Sequence, residues 1–338
     1  YNCVHFCYQA YAPSWMGITR TYAYGGVKWL LSLPFRLING GYHLFMTSST
    51  IGPEAIVTFI LSKMLRKPII VMESHWYWPK TFISQFLWPF ARLLAYHATV
   101  LGVVGLRAKK YWESAGIPNQ KMKIIHWNVS TIRVENKNII KAKELREKLG
   151  NKKVILFLGR LIKRKGVEYL INAFAKLSGE NRDVILLIVG EGEEKRHLEK
   201  LCKGMKLKNV FFAGFANDEA KASYFLLSDV LVHPAVTIEF PEEWGLVVNE
   251  AMSLGKPVVV TNSTGCAYDL VKNGINGYIV PEKDIDALYR AIKAIISDEK
   301  LRGKMGMMSN RIIEEAFTYD HAVKGLERAI KTSLKLNN

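Results

Sequence analysis

The sequence predicts an α/β fold made of two doubly wound, Rossmann-like domains facing each other across a cleft. Short apolar runs of strand length alternate with helix-like segments in both halves, which implies parallel sheets covered on both faces. A length of 338 residues is enough for two separate cores. Between the halves, from Thr131 to Lys153, the composition turns polar and charged, including KNIIKAKELREKLG, which reads as a domain boundary, a linker with a short solvated helix. The expected division is therefore 1–138, 139–312 and a closing polar helix in 313–338 that packs back toward the first domain.

In the first half, Tyr42–Met46 and Pro68–Met72 read as strands around a helical Glu54–Lys67, followed by apolar runs at Ala98–Val104 and Lys123–Ile125. The opening YNCVHFCY already looks like the interior of a strand. Between Pro79 and Leu106 lies an aromatic, nearly uncharged stretch including Phe82, Phe86, Trp88 and Phe90. Gln85, Pro89, Arg92 and His97 interrupt it, which argues against a membrane-spanning helix. The favoured reading is a core helix feeding a core strand. The alternative is an interfacial segment with Trp and Phe among lipid headgroups.

The second half repeats the alternation more cleanly, through VILFLG (Val154–Gly159), VILLIVG (Val184–Gly190), VFFAG (Val210–Gly214), VLVHP (Val230–Pro234), PVVV (Pro257–Val260) and GYIV (Gly277–Val280). Right-handed crossovers between such strands give a doubly wound sheet with ligands at the C-terminal strand ends.

A net charge of +17 favours anionic partners: phosphorylated ligands, an acidic lipid surface or nucleic acid. The basic run at the domain boundary has no interleaved aromatics for base stacking, so nucleic acid is not an expected partner. Cys3, Cys7, Cys202 and Cys266 show neither a paired framework nor metal-ligand spacing, which fits a reducing cytoplasm. Asn128-Val-Ser130 and Asn262-Ser-Thr264 match glycosylation acceptors, which matter only in a secretory compartment. No signal peptide is visible.

Two stretches carry the chemistry. In EEWGLVVNE (Glu242–Glu250) a loop turns into a helix at Trp244-Gly245. Amides at a helix start are unpaired and partly positive, so Gly245, Leu246 and Val247 can cradle an anion. A carboxylate beside a bound phosphate is repelled, so Glu242 and Glu250 suit hydroxyls instead. Phosphate at the amides and hydroxyls at the carboxylates together describe a nucleotide-sugar. The plainer reading is that glutamate near a helix start only complements the helix dipole.

The second stretch, Arg160-Leu-Ile-Lys163-Arg164-Lys165-Gly166, follows a strand and precedes an amphipathic helix. Cations there oppose the helix dipole by about 0.3–1 kcal/mol each. A local rule broken at a strand's C-terminal end points to a bound anion as compensation. Arg160 offers a planar fork for phosphate oxygens and Lys165 a point charge. Lys163 and Arg164 read as solvated.

Weaker motifs rank lower. Gly190-Glu-Gly192 resembles a dinucleotide loop, but Glu191, Glu193 and Glu194 repel a pyrophosphate and the third glycine is absent. Asp284-Ile-Asp286 has the spacing of a metal pair, yet reads as a helix cap, and no metal site is expected. His75, in MESHWYW, sits at a strand end where open sheets bind ligands, although a lone histidine is more often structural.

Together these pieces resemble the retaining glycosyltransferases of family 4, which have the GT-B fold. GRLIKRKGVEYLINAF, LLIVGEGEE, VFFAGF, SDVLVHPA, EEWGLVVNEAMSLGKPVVVT and DLVKNGINGYIVP occur in the family's order and cover nearly all of Val154–Pro281. The first half is similar more loosely, through ESHWYW, GLRAKKYWESAGIPNQKMKII and Asn128. The resemblance implies that Arg160 and Lys165 hold a donor diphosphate and that the amides from Gly245 reach phosphate or sugar. It further implies that Glu242 contacts the transferred sugar, Glu250 the ribose, and that Phe215 flanks the base. His75 matches a histidine that faces the transferred sugar. The family's first strand, glycine-rich loop and first helix have no counterpart, and YNCVHFCY aligns with its second strand.

The implied reaction moves a sugar from a UDP- or GDP-sugar to an acceptor hydroxyl with retained anomeric configuration, by front-face attack within an ion pair and without a metal. The acceptor is a sugar or a lipid-linked or polysaccharide glycan. The implied location is cytoplasmic, peripheral on the inner face of the cell membrane. Alternatives with the same fold are a sugar-nucleotide epimerase or a phosphorylase. An alternative of another class is a basic, non-catalytic protein that binds membrane or nucleic acid.

Overall fold

A computed structural model describes residues 3–6, 21–22, 33–35, 37–78, 81–127, 129–130 and 132–335. Asn128 and Cys7, both singled out above, lie outside the described residues. The chain divides into two compact units, residues 1–127 with 319–338, and residues 128–318.

In the first unit, described strands β1 (Cys3–Phe6), β2 (Thr21–Tyr22), β3 (Leu44–Thr47), β4 (Ile69–Glu73), β5 (Val100–Val103) and β6 (Met122–Ile124) form a parallel sheet in the order β2-β1-β3-β4-β5-β6. Helix α1 (Pro53–Met64) links β3 to β4, α2 (Phe82–His97) links β4 to β5, and α3 (Leu106–Ser114) precedes β6. Thr81 starts α2 by accepting a hydrogen bond from the Ser84 amide (3.2 Å). The helix buries Ala91, Leu94 and Ala95, two of them alanines, so its backbone can lie close to the sheet. Trp88 turns into an aromatic stack with Trp78, Tyr111 and Trp112, with centroids 4.9, 5.7 and 5.5 Å away. Phe82, Phe86 and Phe90 point the other way and are exposed. The core-helix reading therefore holds for one side of α2 only.

The closing helix (Tyr319–Lys335) belongs to this first unit. It buries Ala322, Gly325, Ala329 and Ser333. Ala329 joins a core cluster with Leu44, Met46, Ile70, Met72, Val100 and Ile125.

In the second unit, helix α4 (Asn136–Lys148) is followed by β7 (Lys153–Leu158), α5 (Val167–Glu180), β8 (Val184–Val189), α6 (Lys195–Gly204), β9 (Val210–Gly214), α7 (Asp218–Leu227) and β10 (Val230–His233). Then come α8 (Leu246–Ser253), β11 (Val258–Thr261), α9 (Ala267–Leu270), β12 (Gly277–Val280), α10 (Ile285–Ser297) and α11 (Glu299–Ala316). The described strands pair in parallel as β12-β11-β10-β7-β8-β9. Strand order reverses between β7 and β10, the point at which such sheets open a crevice for ligands. The apolar run of β7 is buried, and Ile155 and Phe157 pack with Leu170 and Phe174 of α5. Cutting Phe174 to alanine costs about 3–5 kcal/mol by analogy with other buried aromatics.

The units part at 127/128 and 318/319, against the expected 138/139 and 312/313. The reason is packing that the polar stretch conceals. Helix α4 was expected to be a solvated linker helix, but Asn138 and Ala142 are buried against α7. The Asn138 amide donates to Glu219 O (2.8 Å) and Ser223 Oγ (3.2 Å).

Candidate functional site

A cavity of about 380 Å³ opens at the C-terminal ends of β7 and β8 in the second unit. Its wall includes Arg160 and Lys165 after β7, Glu191 after β8, Phe215 after β9, Glu242 after β10, and Gly245, Leu246, Val247 and Glu250 at α8. Glu242 and the residues expected at the donor's diphosphate, ribose and base thus line one cavity, and His75 is not among its lining residues. His75 lies in the first unit.

Backbone geometry explains two of the motifs. Gly190 brings the β8 end against the β7 end so closely that a Cβ would lie 1.8 Å from Gly159 O. The Gly190-Glu-Gly192 segment then holds the basic loop in place: Leu161 N donates to Glu191 O, and Glu194 N to Leu161 O, each at 2.9 Å. Its glycines serve this close approach. At Gly245 the backbone takes a left-handed φ of 94° just before α8, and a Cβ would meet Thr264 Cγ2 at 2.9 Å and His233 Nε2 at 3.3 Å. The first amides of α8 have no intrahelical partner and border the cavity.

The basic loop finds its compensating anion inside the protein. Lys165 Nζ donates to Glu242 Oε2 at 2.7 Å, and Arg164 Nη1 reaches the same oxygen at 3.4 Å. Arg164 also lies over the Phe240 ring, 5.3 Å from its centroid, and its side chain keeps only 21% of its exposure. The expectation that Arg164 is solvated is corrected: the Glu242 carboxylate, 78 residues away in sequence, draws it in. Lys163 is exposed, as expected. Burial acts to raise the Glu242 carboxyl, but the charged groups beside it, Lys165 and Arg164, help hold it below the ordinary range. Burial lowers Lys165, with Arg164 and Arg160 adding to the effect and Glu242 opposing it.

Glu250 behaves in the opposite sense. It is buried and its carboxyl is pushed up, chiefly by burial, although Lys221 Nζ lies 3.6 Å from Oε1. Lys221 also pairs with Asp218 at 2.8 Å and lines the cavity. Sequence reasoning treated the two glutamates alike and missed Lys221, which lies 29 positions from its partner along the chain.

His233, at the end of β10, was also missed. The ring is buried, and neither nitrogen has a hydrogen-bond partner among the described residues. Burial, then the Lys165 charge, pushes it down to about 3, so it is neutral at physiological pH. A polar residue ending the apolar run VLVH was the available signal.

In the first unit, His75 follows β4, and its Nδ1 bonds Glu73 Oε1. Such a partner draws the imidazole proton to Nδ1. Glu73 also accepts from Thr50 Oγ1 (2.6 Å), Thr50 N (3.1 Å) and the amides of Ser74 and His75 (3.1 and 3.2 Å). Burial acts to raise Glu73, but His75 and these donors hold it low. Asp284 accepts from the Ala287 amide at 2.8 Å, capping α10.

The family model described as glycosyl transferases group 1 matches residues 138–311. An uncharacterized glycosyltransferase of Methanocaldococcus jannaschii is 32% identical over 187 residues, 55% of this chain and 46% of that protein. The present chain thus spans about half the length of that relative. An alpha-D-kanosaminyltransferase of Streptomyces kanamyceticus is 27% identical over 309 residues, 86% of this chain and 78% of that protein. Among solved structures, Anabaena HepE in complex with UDP superposes with a TM-score of 0.77 at 22% identity, covering 93% of this chain and 86% of that one. The HepE complex with UDP-glucose gives 0.73 at 23% identity, covering 93% and 85%. The shared fold is GT-B.

Proposed function

The chain belongs to the glycosyl transferases group 1 family, and from that premise we propose that it moves a sugar from a nucleoside-diphosphate donor to an acceptor hydroxyl with the anomeric configuration retained. The observation that carries this is the convergence of Arg160, Lys165, Glu242 and the first amides of α8 on one cavity.

The chemical difficulty is negative charge growing on the departing diphosphate. Arg160, Lys165 and the helix amides are held ready to stabilise it. Because those groups supply the positive charge, transfer proceeds without a divalent metal, and a chelator leaves turnover unchanged. Lys165 is engaged by Glu242 before donor arrives, so the phosphate oxygens share or take over that ammonium, leaving Glu242 to accept from the sugar. Glu250 serves the ribose, with Lys221 beside it, and Phe215 flanks the base. By the family resemblance, His75, held by Glu73, faces the transferred sugar.

Glu242 faces Lys165 and Glu250 faces Lys221, which supports roles for both in binding, and the family resemblance implies front-face attack within an ion pair as the route to retention. UDP- or GDP-sugars are the donors. The acceptor is a sugar, on a lipid-linked or polysaccharide carrier, reached from the cytoplasmic side of an anionic membrane.

A thermal-shift screen against UDP-, GDP- and ADP-sugars identifies the base. A product assay with labelled donor then tests transfer: Lys165→Ala and Glu242→Ala each lower product formation by roughly 10²–10³-fold while the circular dichroism spectrum stays that of the parent. Retained turnover in both variants overturns the assignment, and an epimerised or phosphorolysed donor replaces transfer with the competing chemistry.

A further inference from the structure

The first unit turns an apolar, cationic face outward, and we infer that this face seats the protein on the surface of an anionic lipid bilayer. The strands β3, β4 and β5 are adjacent and parallel, so right-handed crossovers put α1 and α2 on the same side of the sheet. Lys63 Nζ at the end of α1 donates to His97 O at the end of α2 (2.7 Å), which ties the two helices together. Along α2, Phe82, Phe86, Phe90 and Leu93 fall on one helical stripe, with Phe82 88% and Phe86 66% exposed. Ile60 and Met64 of α1, one turn apart, are exposed as well.

An exposed apolar stripe of this kind is uncommon on a soluble surface and marks a contact. Charge identifies the partner. Through residue 112 the sequence contains only two carboxylates, Glu54 and Glu73, and both are buried. Lys63, Arg66 and Lys110 are exposed on the same unit. A bilayer surface answers both features together, hydrocarbon for the phenylalanines and headgroup phosphate for the cations. Since Trp88 is turned into its stack with Trp112, the inserted groups are phenylalanine and aliphatic side chains. No helix among the described residues is long and apolar enough to cross a membrane, so the helix lies in the interface plane. None of these residues lines the donor cavity, and the proposal stands or falls apart from the transfer chemistry.

The test is cosedimentation of the whole protein with vesicles of phosphatidylcholine alone, or with roughly one-third phosphatidylglycerol, at physiological ionic strength. The expected result is pelleting with the anionic vesicles and binding weaker by about tenfold or more on phosphatidylcholine alone. Phe86→Ser with Phe90→Ser lowers anionic binding by about tenfold or more, and Arg66→Glu with Lys110→Glu lowers it similarly, all with unchanged melting temperature. Protein that stays in the supernatant with anionic vesicles overturns the proposal, as does a phenylalanine double variant that pellets like the parent. A lipid-free dimer in sedimentation velocity, dissociated by the same phenylalanine changes, also overturns it, because the face then belongs to a second copy.

Discussion

In the second unit, cations and carboxylates crowd one crevice: Lys165 against Glu242 and Lys221 against Glu250, with His233 buried nearby. In the first unit, the carboxylates before residue 113 are hidden, and aromatic side chains stand in solvent. Both units are parallel sheets with crossover helices, so the layout of strands does not account for the contrast. What differs is where desolvation falls. The second unit buries charge in preorganised pairs, an arrangement that suits ionic chemistry. Among its described residues the first buries Glu73, supported by His75, and leaves apolar area outside, which suits recognition of a surface.

The largest effect expected from breaking this contrast is on turnover. Lys165→Ala removes the buried ammonium and lowers kcat by roughly 10²–10³-fold, the scale seen when one preorganised stabilising group is lost. Steady-state kinetics with the donor found in the screen measures it.

Next in size is acid sensitivity, which tests each unit separately. Burial pushes His126 of the first unit down to about 4 and His233 of the second to about 3. In the unfolded chain each takes a proton near the ordinary value of ~6.5. Above that pH both states are neutral and neither ring affects stability. As pH falls below it, the unfolded state binds the proton first, so stability is lost progressively down to the folded value. For His126 the loss amounts to roughly 3 kcal/mol. Calorimetry across this window shows a falling transition, and His126→Gln flattens the part due to the first unit while leaving that of His233 in place.

A smaller effect comes from Gly245→Ala. The left-handed φ and the approach of Thr264 and His233 strain the new side chain by about 1–3 kcal/mol. Melting temperature falls and the thermal shift induced by the donor found in the screen disappears. The smallest is Phe86→Ser: with most of its ring already in solvent, stability changes by less than about 0.5 kcal/mol, and turnover on a water-soluble acceptor stays at the parent level.

Much of the architecture was legible beforehand, because strand and helix periodicities are local properties of the chain. The six apolar runs of the second half each became a strand, and the helix after Gly245 began where the loop motif placed it. The polar stretch misled at α4, since composition says that a helix can be solvated, whereas burial of Asn138 depends on Ser223 and the Glu219 carbonyl being opposite it. The aromatic stretch misled in part at α2: helical spacing shows that an apolar stripe exists and is silent on what faces it.

The sequence by itself determined which backbone shapes form and which chemical groups sit at strand ends, since dihedral preference and periodicity act over a few residues. Only the tertiary structure decided that Arg164 and Lys165 share one carboxylate oxygen, that Glu242 is held low while Glu250 is pushed up, and that His233 is buried with no hydrogen-bond partner among the described residues. Charge interaction and desolvation depend on distances between segments far apart along the chain, and those distances exist only once the sheets have packed.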